Sequence, residues 1–262
     1  MDNTIYFHKT FSKWEVKPNI AGLPEIPRNF LALNEISGIQ EISIANIALT
    51  RGIGCYDFPS NILSYNEGDN SSFAGFADRG NNYLNVMKSI LNNIELLDNW
   101  IIIKTDLNHL DNSIKNIDLK RTETKNLIIS HEYRDNIVNL EINRESEGIR
   151  RFLANLIALY QHPTKQTLLF EEPEKGIYLG AFGLLVDEYK QFIETNKGQI
   201  IIVSHSPNLL DHFEPESIRV VEMVDGETKI DPLDPMQVEN IQERLMTTGG
   251  LLTTDIARRQ QD

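Results

Sequence analysis

Two acidic side chains stand side by side in T-L-L-F-E-E-P-E-K-G, residues 167 to 176, where Glu171 and Glu172 close an apolar run just before Pro173. About thirty residues later Q-I-I-I-V-S-H-S-P repeats the design, an apolar run that ends on His205. Strands that deliver polar groups at their carboxyl ends are how an open α/β sheet builds a nucleotide site. Successive strand residues face opposite ways, so both glutamates serve one crevice only where the strand stops. Pro173 ends the ladder and is expected to hold Glu172 extended. Chemically the set suits phosphoryl transfer. Glu171 would hold a magnesium shell, Glu172 would orient or deprotonate the attacking water, and His205 would contact the γ-phosphate.

A third element lies upstream, in R-E-S-E-G-I-R-R, residues 144 to 151. Ser146, Glu147 and Gly148 open a strongly periodic helix, whose free N–H groups suit an anion and whose glycine permits close approach of a phosphate. Ser146 could equally be a plain N-cap.

These groups need a scaffold, and the apolar spacing supplies one. Ile149, Phe152, Leu153, Leu156, Ile157 and Tyr160 form a helical stripe over 148–160. Strand 167–170 follows, then a helix marked by Phe182, Leu185, Val186, Tyr189, Phe192 and Ile193, closed at Gly198 as C′. Strand 199–203 precedes a short helix opened by Ser206-Pro207, which completes a parallel βαβ unit. Residues 218–230 read as a hairpin around Asp225-Gly226, 236–245 as a helix, and the stretch after Gly250 as a polar tail.

Upstream, 80–97 reads as one amphipathic helix and 126–130 with 136–143 as antiparallel strands joined by the turn 132–135. Within 1–75 the strand-like pieces 5–8 and 39–47 carry no assignable chemistry, and 66–72 reads as a loop. The division falls near residue 140: a smaller mixed α+β part over 1–140, and the βαβ part over 141–262.

Composition narrows the options. At 40% apolar and 24% charged, the 262 residues suit a folded chain rather than a disordered one. There is no apolar run long enough for a membrane helix and no secretory signal, so the expected location is the cytoplasm. The single Cys55 excludes an internal disulfide, and no zinc-ligand spacing occurs. Net charge is −13, with 9 basic against 18 acidic side chains in 163–262. Such a surface does not hold nucleic acid by general phosphate neutralisation, so contact with it is expected only indirectly.

The three pieces, in this order, resemble the C-terminal half of ABC-type ATPases of the SMC/RecF-like group within the AAA family ATPases. The resemblance covers about Glu145 to Asp255, and more faintly Phe76 to Leu91. It implies a P-loop NTPase-like α/β fold, ATP and Mg2+ as ligands, and a dimer that sandwiches ATP. By position, Ser146-Glu147-Gly148 resembles the signature loop that contacts nucleotide on the opposing subunit. Glu171 and Glu172 resemble the magnesium and base positions of Walker B. Glu174 to Tyr178, with Gly176, falls on the D-loop, and His205 on the switch histidine. The chain departs from the pattern at Glu145, where leucine is usual, and at Leu179, where many relatives have proline.

No G-x-x-x-x-G-K-[ST] occurs in the chain, so it offers no N–H nest or lysine for the β- and γ-phosphates. The expectation is therefore an ATPase subunit or fragment lacking the Walker A lobe, completed by a partner that carries it. Two alternatives remain open: a non-hydrolysing interaction module derived from such an ATPase, or an unrelated metal-dependent hydrolase. The hydrolase would need ligands beyond Asp211 and Glu214, the acidic residues nearest in sequence.

Overall fold

The computed structural model describes residues 6–9, 14–17, 52–65, 75–120, 126–196, 198–253 and 257–260. The expected strand at 39–47 and the loop at 66–72 lie outside them. The chain forms two units, 1–53 and 54–262. In the first, β1 (Tyr6–Lys9) and β2 (Trp14–Lys17) pair antiparallel.

The second unit holds the site. Its central sheet has the order β3–β7–β8, with β3 at Ile53–Asp57, β7 at Thr167–Glu171 and β8 at Gln199–Val203. β7 and β8 run parallel, with Glu171 opposite Val203, so both strands end at the same edge. This is the expected βαβ unit. Leu168 and Phe170 are buried on one face of β7, while Glu171 alternates to the other. A second sheet is antiparallel, formed by β4 (Ile114–Lys120), β5 (Asn126–Tyr133) and β6 (Asn136–Glu141). Arg134 and Asp135, both at positive φ, make the β5–β6 turn. The hairpin of β9 (Arg219–Val224) and β10 (Glu227–Pro232) turns at Asp225-Gly226 as expected, again with positive φ at both residues.

The helix expected over 80–97 is two. α1 (Tyr83–Asn92) buries Tyr83, Leu84, Met87 and Ile90. It stops at Asn93, whose side chain accepts from the Glu95 amide and opens a 3-10 turn instead. α2 (Leu97–Leu110) then begins a new direction. α3 (Glu147–Tyr160) is more deeply placed than its stripe implied, since every residue from Arg151 to Tyr160 is buried. Ala154 and Ala158 let neighbours approach, and the polar Asn155 is satisfied by the Arg151 carbonyl at 2.9 Å and the Tyr189 hydroxyl at 2.7 Å. α4 (Phe182–Asn196) covers the same sheet face with Leu185, Val186, Tyr189 and Phe192, although Ile193 points outward. Around Phe170 the rings of Tyr56 and Tyr189 stack at centroid distances of 5.3 and 5.2 Å, joining sheet to helix.

Three boundary expectations need correction. Gly198 is not left-handed; glycine is required there because a Cβ would sit 2.8 Å from the Gln166 carbonyl oxygen and from the Phe192 ring. After the short α5 (Pro207–Leu210), capped by Ser206, α6 (Pro235–Gln242) ends three residues before the expected 245, and Arg244 is left-handed just beyond it. The segment after 250 is not simply a polar tail. It forms α7 (Gly250–Thr253), and Leu251 packs with Val220 and Leu233 in a small cluster of its own.

Candidate functional site

β7 and β8 end together at the carboxyl edge of the central sheet. β7 stops at Glu171, but its ladder continues one step, because the Glu172 amide donates to the Val203 carbonyl at 2.8 Å. Glu172 then takes φ +43. The expected extended conformation is therefore wrong at this residue. Proline disfavours the right-handed helical region for the residue before it, yet the left-handed well remains available, and the turn closes when the Lys175 amide donates to the Glu172 carbonyl at 3.1 Å. A residue with a Cβ in this well costs about 1–2 kcal/mol. The turn throws the Glu172 carboxylate away from the strand direction, which a regular continuation would not.

Glu172 pairs with Lys175 at 2.8 Å. That lysine, foremost, holds the Glu172 carboxyl below the usual glutamate range, with His205 and Arg151 adding smaller pulls in the same direction. The reciprocal effect raises Lys175, and Asp57 at the end of β3 adds to it. Glu172, Lys175, His205, Arg151 and Asp57 thus share one electrostatic neighbourhood at the sheet edge. Of these, sequence reasoning named Glu172 and His205. It missed Lys175, although Lys175 stands in the same E-E-P-E-K run, and it missed Arg151 and Asp57, which reach the site only through folding.

Glu171 is exposed at the strand end, and its carboxylate has no hydrogen bond or ion pair among the described residues. His205 is likewise exposed. Among the described residues no three His, Cys, Asp or Glu side chains converge to cage a metal. Magnesium takes most of its shell from water and phosphate and one or two carboxylates from protein, so an accessible Glu171 suits a nucleotide-borne Mg2+ better than a protein-built cage.

Glu174 is buried. Its Oε1 accepts from the Ser204 hydroxyl, which also receives the Ser206 amide at 3.0 Å. Its Oε2 is buried without a partner among the described residues. This carboxylate therefore ties the turn after β7 to the segment carrying His205. The Pro173 carbonyl accepts from Asn155 at 3.4 Å, so α3 holds the turn from below.

The upstream element arrives at the same place. Ser146 is the N-cap of α3, its hydroxyl accepting from the Ile149 amide at 3.2 Å. Glu147 pairs with the buried Arg151 at 2.8 Å. A Cβ on Gly148 would lie 2.9 Å from the Gly176 carbonyl oxygen. Gly176 has φ +76, and a Cβ there would meet the Glu147 side chain at 3.0 Å. Both glycines are thus needed for close approach, and Ser146–Gly148 and Glu174–Gly176 form one packed corner.

Residues 66–211 match the family described as "AAA domain, putative AbiEii toxin, Type IV TA system". No curated protein matches the chain. Among the solved structures similar to it are three SMC proteins. An SMC ATPase described for ATP-driven dimerisation and DNA-stimulated activation shares 15% identity at TM-score 0.43, over 62% of this chain and 94% of that one. The Smc head domain with coiled coil and joint from Pyrococcus yayanosii shares 15% at TM-score 0.40, over 62% of this chain and 30% of that one. The Pyrococcus furiosus Smc head bound to the C-terminal domain of ScpA shares 16% at TM-score 0.40, over 55% and 36%. No helix among the described residues is long and apolar enough to cross a membrane.

Proposed function

This chain belongs to the AAA domain family, and from that premise we propose that it has a P-loop NTPase-like fold of ABC/SMC-like type and supplies the carboxylate half of a composite ATP site. In this reading Glu172 is the general base, Glu171 the Mg2+ ligand and His205 the γ-phosphate contact. Ser146, Glu147 and Gly148 face a nucleotide held by a second subunit, and Glu174 with Gly176 lies at the seam between the two. The division near residue 140 is kept as part of the proposal, with 141–262 carrying these groups.

The observation that carries the reading is the left-handed turn at Glu172, which presents its carboxylate within electrostatic reach of His205 and Arg151. A general base contributes about 10²–10⁴ in rate once a water is positioned against it. Bound ATP would bring the magnesium and the γ-phosphoryl group that passes to water as ADP leaves; the chain's own part would be to orient water at the Glu172 carboxylate and hold Mg2+ at Glu171. The phosphate-cradling loop comes from a partner segment bearing G-x-x-x-x-G-K-[ST]. The exposure of Ile201 and Val203 beside the carboxylates supports such a partner, because the apolar residues of parallel sheets are normally covered on both faces.

The test is magnesium-dependent ATP hydrolysis by the chain alone and mixed with the product of the coding sequence immediately upstream. Activity only in the mixture, lost in Glu172→Gln while nucleotide binding persists, is the expected result. Comparable hydrolysis by Glu172→Gln refutes the assignment. One observation favours the interaction-module reading instead: Lys175 already occupies the carboxylate that would have to accept a proton. No nucleotide binding in any pairing would select that reading.

A further inference from the structure

Glu145 has an unusual setting for a carboxylate. It is 6% exposed, directly before the N-cap Ser146. Its Oε1 lies 2.9 Å from His131 Nε2, and His131 on β5 is 2% exposed. The other ring nitrogen, Nδ1, lies 2.8 Å from the Ser113 hydroxyl, in the turn between α2 and β4. Tyr133 stacks on the imidazole at 5.8 Å with the planes 3° apart. Ser113 is itself fixed, its amide donating to the Asp111 carboxylate at 2.9 Å and its carbonyl accepting from the Glu132 amide at 2.8 Å.

Burying a carboxylate against an imidazole is seldom more stabilising than two well-packed apolar side chains, because desolvation offsets the attraction. What such a pair adds is direction. Here the direction bears on one peptide. The Glu145 side chain is held by His131, while the Glu145 carbonyl accepts from Arg150 Nη1, whose Nη2 donates to the Ser60 carbonyl at 2.9 Å. Gly176 blocks the far side of Glu147 and Gly148.

We infer that the chain Ser113–His131–Glu145 is a positioning relay that fixes the first turn of α3, and with it the anion-facing Ser146 to Gly148, relative to the antiparallel sheet. The functional part of this inference rests on the composite-site reading above. Ser113, His131 and Glu145 touch no reacting atom in that reading; they act through Ser146.

The experiment compares Glu145→Gln, Glu145→Leu and the double variant His131→Phe/Glu145→Leu in the full chain. Glutamine keeps an oxygen for Nε2–H, whereas the double variant replaces the pair by apolar volume and retains the ring stack on Tyr133. Amide exchange is followed at Ile149 and Arg150, which bond to the Ser146 hydroxyl and carbonyl. In the double variant these amides exchange about tenfold faster or more, while β7 and β8 amides keep wild-type rates and the melting temperature stays close to wild type. Glu145→Gln behaves as wild type at both amides. In the hydrolysing mixture, activity falls in the same order as protection is lost. Wild-type exchange at Ile149 and Arg150 in the double variant overturns the relay, and so does acceleration spread evenly over the whole chain. Loosened amides with undiminished hydrolysis overturn its functional role. If the wild-type mixture never hydrolyses ATP, the composite-site reading fails separately, and the exchange comparison alone decides the relay.

Discussion

Away from the sheet edge, three helices meet over a buried acid cluster that makes stability depend on pH. Asp106 of α2 is buried, with Oδ2 lacking any partner among the described residues. Tyr160, the last residue of α3, donates its hydroxyl to Glu188 Oε2 on α4. Burial foremost, and then the charge and hydrogen bonding of neighbouring Glu188, push the Asp106 carboxyl up to about 7. The half-exposed His109 imidazole, 3.9 Å from Asp106 Oδ1, is the cationic candidate on the same helix and does not reverse this. Asp106 therefore keeps its proton in the folded state at pH values where the unfolded chain has lost it.

Between about pH 4 and about pH 7 the native state binds more protons than the unfolded state, so stability falls as pH rises through that window. A displacement of about three pH units at 1.36 kcal/mol each sets an upper bound of about 4 kcal/mol, which sharing of the proton with Glu188 and partial solvent screening reduce to about 1–3 kcal/mol. Asp106→Asn removes the titration at nearly unchanged side-chain volume. Chemical denaturation should show the variant close to wild type near pH 4, and more stable by about 1–3 kcal/mol near pH 8. Parallel stability–pH curves for the two proteins would refute the reasoning, as would an asparagine variant that loses ground as pH rises.

Further outcomes follow from the site. Gly148→Ala drives a Cβ to 2.9 Å from the Gly176 carbonyl and should destabilise by about 1–3 kcal/mol in a denaturant melt; a neutral result would mean the corner is loosely packed. Lys175→Ala should move the Glu172 carboxyl titration upward in a carbon-detected NMR experiment, with little effect on stability because both partners are solvent-accessible; an unmoved titration would remove Lys175 as its main influence. Glu172→Gly should be as stable as Glu172→Ala or more so, by up to about 1 kcal/mol, because relief at φ +43 outweighs the flexibility glycine adds to the unfolded chain. A glycine variant clearly less stable than the alanine variant would argue that the residue is not left-handed in solution.

The elements that carry their own periodicity were readable from sequence. β7, α3 and α4 each bury a run whose spacing states its type, β8 is marked by its continuous apolar run although none of its residues is fully buried, and the carboxylate pair and His205 follow once the two strands end together. β4 left no comparable trace, because the register shifts between Ile114 and Asn116 and the period of two is lost at its start. α2 hid behind three consecutive isoleucines, a β-branched run that favours a strand when read alone; Ile103 is buried while Ile101 is 58% exposed, so the run does not mark one face. Pairings across many residues were invisible for a different reason. Nothing local links Ser113 to His131 to Glu145, or Asp57 to Lys175.

Glu172 shows where local rules fail and why that failure is informative. The residue before a proline favours an extended backbone, yet two backbone hydrogen bonds, to Val203 and from Lys175, over-determine a left-handed one. Glycine would take that conformation without strain, and it would carry no carboxylate. Strain retained at a residue that the surroundings could have filled more cheaply argues that the side chain, not the turn, is what the position keeps. Pro173, supported from α3 through Asn155, and Glu174, anchored on Ser204, then act as the braces of that turn. Under the proposed role of Glu172, a substitution that slackens either brace should impair hydrolysis in the mixture before it impairs folding.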